Sequence, residues 1–158
     1  MCGILGQVKY QETIDSQVFK DRLQTLVHRG PDDQGVWLDN DRPLALGHCR
    51  LSILDLSKAG KQPMHSDNGR FILVFNGEVY NYKEIKLELQ HELGEVSWCG
   101  HSDTEVLLRA IEHWGVENAV RHLNGMFAIA LHDLTQQRLL LVRDPVGIKP
   151  LYYSFQQY

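Results

Sequence analysis

The chain has 158 residues, of which 43% are hydrophobic and 23% charged, the size and composition of one globular domain. Its net charge of −4 gives no electrostatic reason to bind nucleic acid or an anionic membrane. No apolar run approaches the roughly 20 residues of a membrane span, and the N-terminus lacks a secretory pattern. Three cysteines are too few for a disulfide framework, so we expect a reducing, cytoplasmic setting with Cys49 and Cys99 buried.

The hydrophobic pattern predicts short strands with helices between them. Strands are predicted at residues 3–8, 36–38, 44–47, 71–75, 126–132 and 138–142; the pattern also allows one at 95–99 and starts one at 151–153. Helices are predicted from a cap at Asp15 or Ser16 to Gly30, over 81–93 and 102–114 behind capping boxes, and over 116–123. Because the last strand starts just before the sequence stops, we expect a sheet that is incomplete at its C-terminal end.

Cys2 directly follows the initiator methionine. A residue this small permits removal of Met1, which would leave a thiol and a free α-amine on one residue. Both groups titrate near neutrality, so a nucleophile and its base would be present together. If Met1 stays, the amine is locked in a peptide bond and the base is lost. Taken alone, the position favours an arbitrary second residue, and the rest of the chain reverses that preference.

Two polar stretches have alternative interpretations. Residues 28–35 are either a helix stop with a polar turn or a loop shaped to face a site. Arg50 lies among apolar and small residues, where a guanidinium needs an anionic partner. That partner is either an internal carboxylate, from Asp32, Asp33 or Asp55, or the carboxylate of a substrate held in a bidentate clamp. The spacing favours neither.

The apolar run at residues 71–75 predicts a strand buried on both faces, and Asn76-Gly77 follows it. Asn-Gly at a strand end is typical of a turn. The alternative is that the Asn76 amide and the Gly77 backbone N–H converge on one oxygen, as oxyanion-hole donors do. Asp103 falls in the first turn of a predicted helix, where a carboxylate suits the helix dipole and is also placed to accept a substrate ammonium.

Eight segments, in this order, resemble the glutaminase domain of class II glutamine amidotransferases, in the asparagine synthetase-like branch. They are CGI at 2–4, HRGPD at 28–32, RLSI at 50–53, QPM at 62–64, NGEVYN at 76–81, SDTE at 102–105, GMFA at 125–128 and RDPVGIKPLY at 143–152. Each motif is weak, but together they cover essentially the whole chain. The resemblance implies an α+β fold, the N-terminal-nucleophile hydrolase four-layer αββα sandwich with mainly antiparallel sheets.

The resemblance also implies roles for individual residues. Cys2 would be the nucleophile, and Asn76 and Gly77 would form the oxyanion hole. The remaining residues would bind glutamine: Arg50 its α-carboxylate, helped by backbone of Leu51, Ser52, Ile53 and Leu54, with Asp103 at the α-amine and Glu78 beside the substrate. The predicted reaction is hydrolysis of L-glutamine to glutamate and ammonia through a thioester on Cys2.

In this family the ammonia passes to a second, synthetase domain that uses ATP and Mg. No segment here resembles its ATP loop, and the eight histidines have no metal-site spacing. We therefore interpret residues 1–158, with Met1 removed, as the glutaminase domain of a longer enzyme, without a cofactor of its own. The expected partners are L-glutamine and the absent C-terminal synthetase domain, but neither nucleic acid nor membrane; a homodimer is left open.

Three alternatives accompany this interpretation. Aspartate is the default acceptor of the ammonia, but relatives in the family amidate sugars or other small molecules. A chain that retains Met1, or whose fold is truncated, would be a silent glutamine-binding or assembly domain. An amidase acting on a different amide is disfavoured, because a substrate that is not an amino acid has no use for both Arg50 and Asp103.

Overall fold

The structure, a computed structural model, describes residues 2–10 and 12–155. Met1, whose removal the sequence predicts, lies outside the described residues. The elements are β1 (Gly3–Val8), α1 (Ser16–Gln24), β2 (Asp33–Leu38), β3 (Leu44–Arg50), β4 (Met64–His65), β5 (Phe71–Val79), α2 (Tyr82–Leu93), α3 (Asp103–Trp114), α4 (Val116–His122), β6 (Gly125–Asp133) and β7 (Arg138–Arg143). Within the described ranges, no helix is long and apolar enough to cross a bilayer.

The strands form two antiparallel sheets, ordered β1-β3-β2 and β4-β5-β6-β7. Helix α1 packs on β3 at the outer face of the first sheet, and α3 packs on β5 at the outer face of the second, with α2 and α4 against α3. The layers are therefore helix, sheet, sheet and helix, as the resemblance implies.

Two apolar layers hold these elements together. Between the sheets, Leu44 and Leu46 of β3 meet Ile72 and Val74 of β5. The opposite face of β5 supplies Phe71, Leu73 and Phe75 to a larger cluster with α2, α3 and α4. Because successive strand side chains point to opposite faces, a strand buried on both sides needs the unbroken apolar run that residues 71–75 provide.

The Asn76-Gly77 pair is not a turn. Strand β5 continues through it to Val79, and Gly77 lies opposite Phe127 of β6. The turn interpretation is therefore wrong, because β6 is long enough to pair with every residue of β5 up to its end. The Asn76 side chain and the Gly77 backbone consequently lie on a rigid strand.

Two predicted strands do not form. Residues 95–99 have no ladder partner, and the backbone N–H groups of Cys99 and Gly100 donate instead to the Glu105 carboxylate, at 2.7 and 2.9 Å. Residues 151–155 are not a strand, and Tyr152 and Phe155 are exposed. Cys49 is buried as expected, but Cys99 is exposed, so that expectation was wrong.

Helix α1 ends earlier than the apolar spacing predicts. It stops at Gln24, where the Thr25 hydroxyl donates to the Arg22 carbonyl at 2.8 Å, and a separate 3₁₀ turn covers Val27–Arg29. The side chain of Asp15 caps the start of α1 by accepting hydrogen bonds from the backbone N–H groups of Gln17 and Val18. The shortened helix lets residues 27–32 turn back toward the N-terminal strand.

Candidate active site

A cleft opens where β1 begins and where β3 and β5 end, and its volume is about 680 Å³ including the solvent at its mouth. Nine of the ten predicted site residues line it: Cys2, Arg50, Leu51, Ile53, Leu54, Asn76, Gly77, Glu78 and Asp103. The tenth, Ser52, is not among the lining residues, and its backbone N–H donates to Asp32 Oδ2 at 2.7 Å. The fold therefore gathers residues that are up to about a hundred positions apart in the sequence.

Cys2 precedes β1 and is half-buried at the rim of the cleft. Its Sγ accepts a hydrogen bond from the Leu51 N–H at 3.4 Å and lies 3.8 Å from the Leu51 carbonyl oxygen. Arg29 Nε donates to the Cys2 carbonyl at 3.1 Å. These contacts fix the thiol against the first residue after β3.

Residues 28–35 support the site from behind and do not line the cleft. Besides the Arg29 contact, Gly30 packs against the backbone of Cys49 and Arg50 so closely that any Cβ there would collide with it. The interpretation as a turn is therefore the closer one, because the stretch ends the 3₁₀ turn at Arg29 and enters β2 at Asp33; it holds Cys2 and the end of β3 in place but does not face the cleft.

Arg50 is 8% exposed and forms no ion pair within the described residues. Its guanidinium donates to the backbone carbonyls of Asp55 and of Ser57, the latter at 2.7 Å. Gly60 makes room for it, since a Cβ there would collide with Nη2. Of the two alternatives, the internal salt bridge is therefore wrong: neutral carbonyls hold the cation, and no described carboxylate lies within ion-pair distance of it.

Asp55 shapes the loop that carries those carbonyls. Its Oδ1 accepts from the Ser57 N–H at 2.7 Å and its Oδ2 from the His101 N–H at 2.8 Å. The His101 bond, then the Ser57 bonds, lower the pKa of Asp55 to about 2. The carboxylate is therefore ionised at neutral pH, where it holds the loop in shape.

Alternate residues of β5 point their polar backbone groups away from β6. The Phe127 carbonyl accepts from the Asp144 N–H at 2.8 Å, so Phe127 faces β7, and Gly77 opposite it must face outward. On this outer edge the Phe75 N–H donates to Gln62 Oε1 at 2.6 Å and the Val79 N–H to Asp103 Oδ2 at 2.9 Å. Between them, the Gly77 N–H opens to the cleft with no partner among the residues that the structure describes.

Two further polar groups line the cleft. Asn76 is 5% exposed, and its side-chain amide forms no hydrogen bond with any described residue. Asp103 is 6% exposed, and its burial, more than the nearby charge of Glu78, raises the pKa of its carboxyl. The cleft is thus lined by a thiol, two open hydrogen-bond donors, two cationic side chains (Arg50 and Lys149) and three carboxyl groups (Asp55, Glu78 and Asp103).

Sequence reasoning missed several residues that line or support the cleft. Gln62 and Lys149 line it, are 5% and 3% exposed, and lie within motifs whose individual residues received no role. A long polar side chain beside proline and apolar residues, as in Ile148-Lys149-Pro150, was the available signal. Asp55 was considered only as an ion-pair partner of Arg50; its actual role, accepting from backbone N–H groups, depends on the loop conformation and left no signal in the sequence.

The comparisons with known proteins agree with this geometry. A family model described as a glutamine amidotransferase domain matches residues 1–158. Asparagine synthetase [glutamine-hydrolyzing] 1 of Bacillus subtilis is 39% identical over 98% of this chain and 24% of its own length. Putative asparagine synthetase [glutamine-hydrolyzing] 2 of Methanocaldococcus jannaschii is 35% identical over 97% of this chain and 32% of its own length. Amidase chry2 of Gibberella zeae is 42% identical over 85% of this chain and 20% of its own length.

The chain thus spans between a fifth and a third of the length of these relatives. Among solved structures, the glutamine phosphoribosylpyrophosphate amidotransferase of B. subtilis superposes with a TM-score of 0.73 over 94% of this chain and 38% of that one, at 22% identity. This match confirms the predicted fold class, and the family match confirms the predicted enzyme class. The chain belongs to the glutamine amidotransferase domain family, as a homologue of the glutaminase domains of asparagine synthetases, and has the N-terminal-nucleophile fold.

Proposed function

We propose that this domain hydrolyses L-glutamine to glutamate and ammonia with Cys2 as the nucleophile, after removal of Met1. The observation that carries the proposal is the single cleft that combines the Cys2 thiol, the unpaired Arg50 cation, the Asp103 carboxyl and the open Gly77 N–H. Glutamine is a zwitterion with a side-chain amide, so it offers one group to each of these four.

Substrate binding would use the two charged groups. The α-carboxylate of glutamine pairs with Arg50, which lacks a carboxylate of its own, and the α-ammonium with Asp103, with Glu78 beside it. Backbone groups of residues 51–54 complete the wall around the α-carbon. With both charges fixed, the side-chain amide points toward Cys2, which supplies the orientation that catalysis needs.

The chemistry proceeds in two halves. The free α-amine of Cys2 takes the thiol proton, and the thiolate attacks the amide carbon. The resulting oxyanion accepts hydrogen bonds from the Gly77 N–H and the Asn76 amide. Collapse of the tetrahedral intermediate transfers the proton to the leaving nitrogen, releases ammonia and leaves a thioester. Water then attacks the thioester through a second oxyanion, which yields glutamate and regenerates the thiol.

The ammonia would feed an ATP-dependent amidation, with aspartate as the default acceptor, in a synthetase domain of a longer chain. Two relatives whose names are asparagine synthetases support this step. ATP and Mg would belong to that second domain, and this one would work without a cofactor. The three cysteines carry no disulfide in the described residues, which fits a cytoplasmic enzyme.

The test is glutamate release by the processed chain. Cys2→Ala should abolish it while glutamine still binds in calorimetry, and Cys99→Ala, which alters an exposed thiol outside the cleft, should leave it unchanged. A chain with a free Cys2 that binds glutamine but releases no glutamate would instead be a binding domain.

A further inference from the structure

We propose that His48 and Gln62 are positioning residues for the oxyanion hole. Their side chains bind the two polar groups of Phe75, the residue directly before Asn76, and so fix the section of β5 from which both oxyanion donors project. The inference rests on the proposed function and adds two residues to it that touch neither the glutamine amide nor the reacting thiol.

His48 connects the two sheets at the inner end of the cleft. It is 1% exposed, it lies on β3 two residues before Arg50 and on the same face, and it pairs with Ile4 of β1. Its Nε2 donates to the Phe75 carbonyl at 3.2 Å, a bond from the first sheet to the second. Burial lowers the pKa of His48 to about 4, so the ring is neutral at pH 7 with its hydrogen on Nε2.

Gln62 binds the other polar group of Phe75. It is 5% exposed, and its Oε1 accepts from the Phe75 N–H at 2.6 Å. Its Nε2 lies 3.5 Å from the Thr104 Oγ1, in the first turn of α3 directly after Asp103. One amide therefore links the strand that carries the oxyanion donors to the helix that carries the carboxylate for the substrate ammonium.

This edge of β5 needs side-chain anchors because, among the described residues, no strand covers it from Phe75 onward. Strand β4 pairs only with Ile72 and Leu73, so from Phe75 onward the outer edge has no neighbouring ladder. A strand advances about 3.3 Å per residue, which places the Gly77 N–H only about 7 Å from the anchored Phe75 peptide. A catalytic donor that shifts by about 1 Å can lower a rate about 100-fold. The two anchors are thus close enough to set the geometry of catalysis.

Two substitutions of His48 separate positioning from other roles. His48→Gln keeps an N–H donor near the place of Nε2, whereas His48→Leu removes the donor and keeps an apolar side chain of similar bulk. We expect His48→Leu to lower kcat for glutamine hydrolysis by about 10- to 100-fold with KM within about twofold of wild type. We expect His48→Gln to retain at least a third of the wild-type kcat. Gln62→Met, which keeps the volume and removes the acceptor, should resemble His48→Leu.

Three readouts exclude a merely structural effect. Alkylation of Cys2 by iodoacetamide forms no oxyanion, so its rate should stay within twofold of wild type in His48→Leu. Inhibition by glutamate, which occupies the cleft without reaction, should also be unchanged. The control Ile72→Val shortens a buried side chain on the face of β5 that packs against β3, without altering the contacts of the Phe75 backbone. It should leave kcat unchanged at a comparable loss of thermal stability.

Three results would overturn the inference. One is an unchanged kcat in both His48→Leu and Gln62→Met while the wild type is active. Another is an equal loss in His48→Gln and His48→Leu with a new pH dependence, which would indicate acid–base chemistry by the imidazole. The third is parallel loss of kcat, alkylation and glutamate binding. A wild-type chain with a free Cys2 but no glutaminase activity would instead contradict the proposed function itself.

Discussion

Arg50 and Asp103 bring opposite charges to one cleft, and neither is matched there by an ordinary surface ion pair. Arg50 is held by carbonyl oxygens, and Asp103 accepts from backbone N–H groups, that of Val79 at 2.9 Å. Groups arranged in this way are poorly stabilised without a ligand, because burial penalises a charge that is not fully paired. A zwitterionic ligand would supply the missing counter-charge to both Arg50 and Asp103.

Arg50→Ala should raise the KM for glutamine by about 10- to 100-fold with a smaller change in kcat, since a hydrogen bond to a charged group contributes about 1.5–3 kcal/mol. Steady-state glutaminase kinetics measure it, with Arg138→Ala, at an exposed position of β7, as the matched control. An unchanged KM would remove Arg50 from substrate binding.

Asn76→Ala should have the opposite pattern. Loss of one oxyanion donor typically costs 10²- to 10³-fold in kcat, and the ground-state amide gains little from that donor, so KM should change little. Asn118→Ala on α4, whose amide only donates to the Trp114 carbonyl, is the matched control. Equal effects on kcat and KM would contradict an oxyanion role.

The pH dependence of glutamine binding should follow Asp103. Because burial raises its pKa, this carboxyl takes up a proton at a higher pH than an ordinary aspartate as the solution is acidified. The ammonium then loses its partner, so KM should rise on acidification from neutrality. Asp103→Asn should show a high KM that no longer depends on pH over the same range. A wild-type KM that stays constant down to pH 4 would contradict this assignment.

At the scale of elements, the decisive feature is the continuation of β5 past its apolar run. Gly77 has no room for a side chain, because a Cβ would collide with the Met126 carbonyl oxygen of β6. The close approach of these strands, together with the outward direction of the Gly77 N–H, makes this glycine both a packing requirement and a source of a donor.

Gly77→Ala should therefore reduce both stability and turnover. Overpacking typically costs about 1–3 kcal/mol in free energy of unfolding, and separation of β5 from β6 would shift the donor. Chemical denaturation and glutaminase assays measure the two effects. Gly6→Ala on β1 is the matched control, since its Cβ would meet only the Leu46 side chain at 3.6 Å. A Gly77→Ala variant with wild-type stability and activity would refute this interpretation.

Local patterns predicted elements whose stabilising contacts are local. The helix that begins after Ser102 was predicted from its capping residues, and the Ser102 hydroxyl does accept from the Glu105 N–H at 3.2 Å. The cap at Asn81 was predicted in place but not in mechanism, because its amide bridges the His122 carbonyl and the Asn124 N–H, both about 2.8 Å away. Contacts this remote in sequence leave no local signal.

The same division applies to the site. Cys2, Arg50 and Asn76 were identified through motif order, because each lies in a short segment that resembles the family. The two hydrogen bonds to Phe75 could not be predicted, since they join side chains on β3 and on the loop before β4 to the backbone of β5. Sequence identifies groups that act through their own chemistry more readily than groups that act through backbone geometry.

At the scale of the whole molecule, the cleft exists because two sheets are held in a fixed relation. At the end near the cleft, His48 reaches the Phe75 carbonyl, and at the opposite end His132 of β6 lies 3.4 Å from the Asp39 carboxylate that follows β2. The apolar layer between the sheets fills the space between these two polar contacts. Cys2, on the first sheet, is thereby held close to Asn76 and Gly77, on the second.

The central claim, that Cys2 is the nucleophile of a glutamine pocket, is tested most directly by intact mass spectrometry before and after treatment with an electrophilic glutamine analogue. We expect the untreated mass to correspond to a chain without Met1, and the treated chain to carry one adduct, mapped to Cys2 and blocked by excess glutamine. Adducts spread over Cys49 and Cys99, or no adduct despite a free Cys2, would contradict the claim.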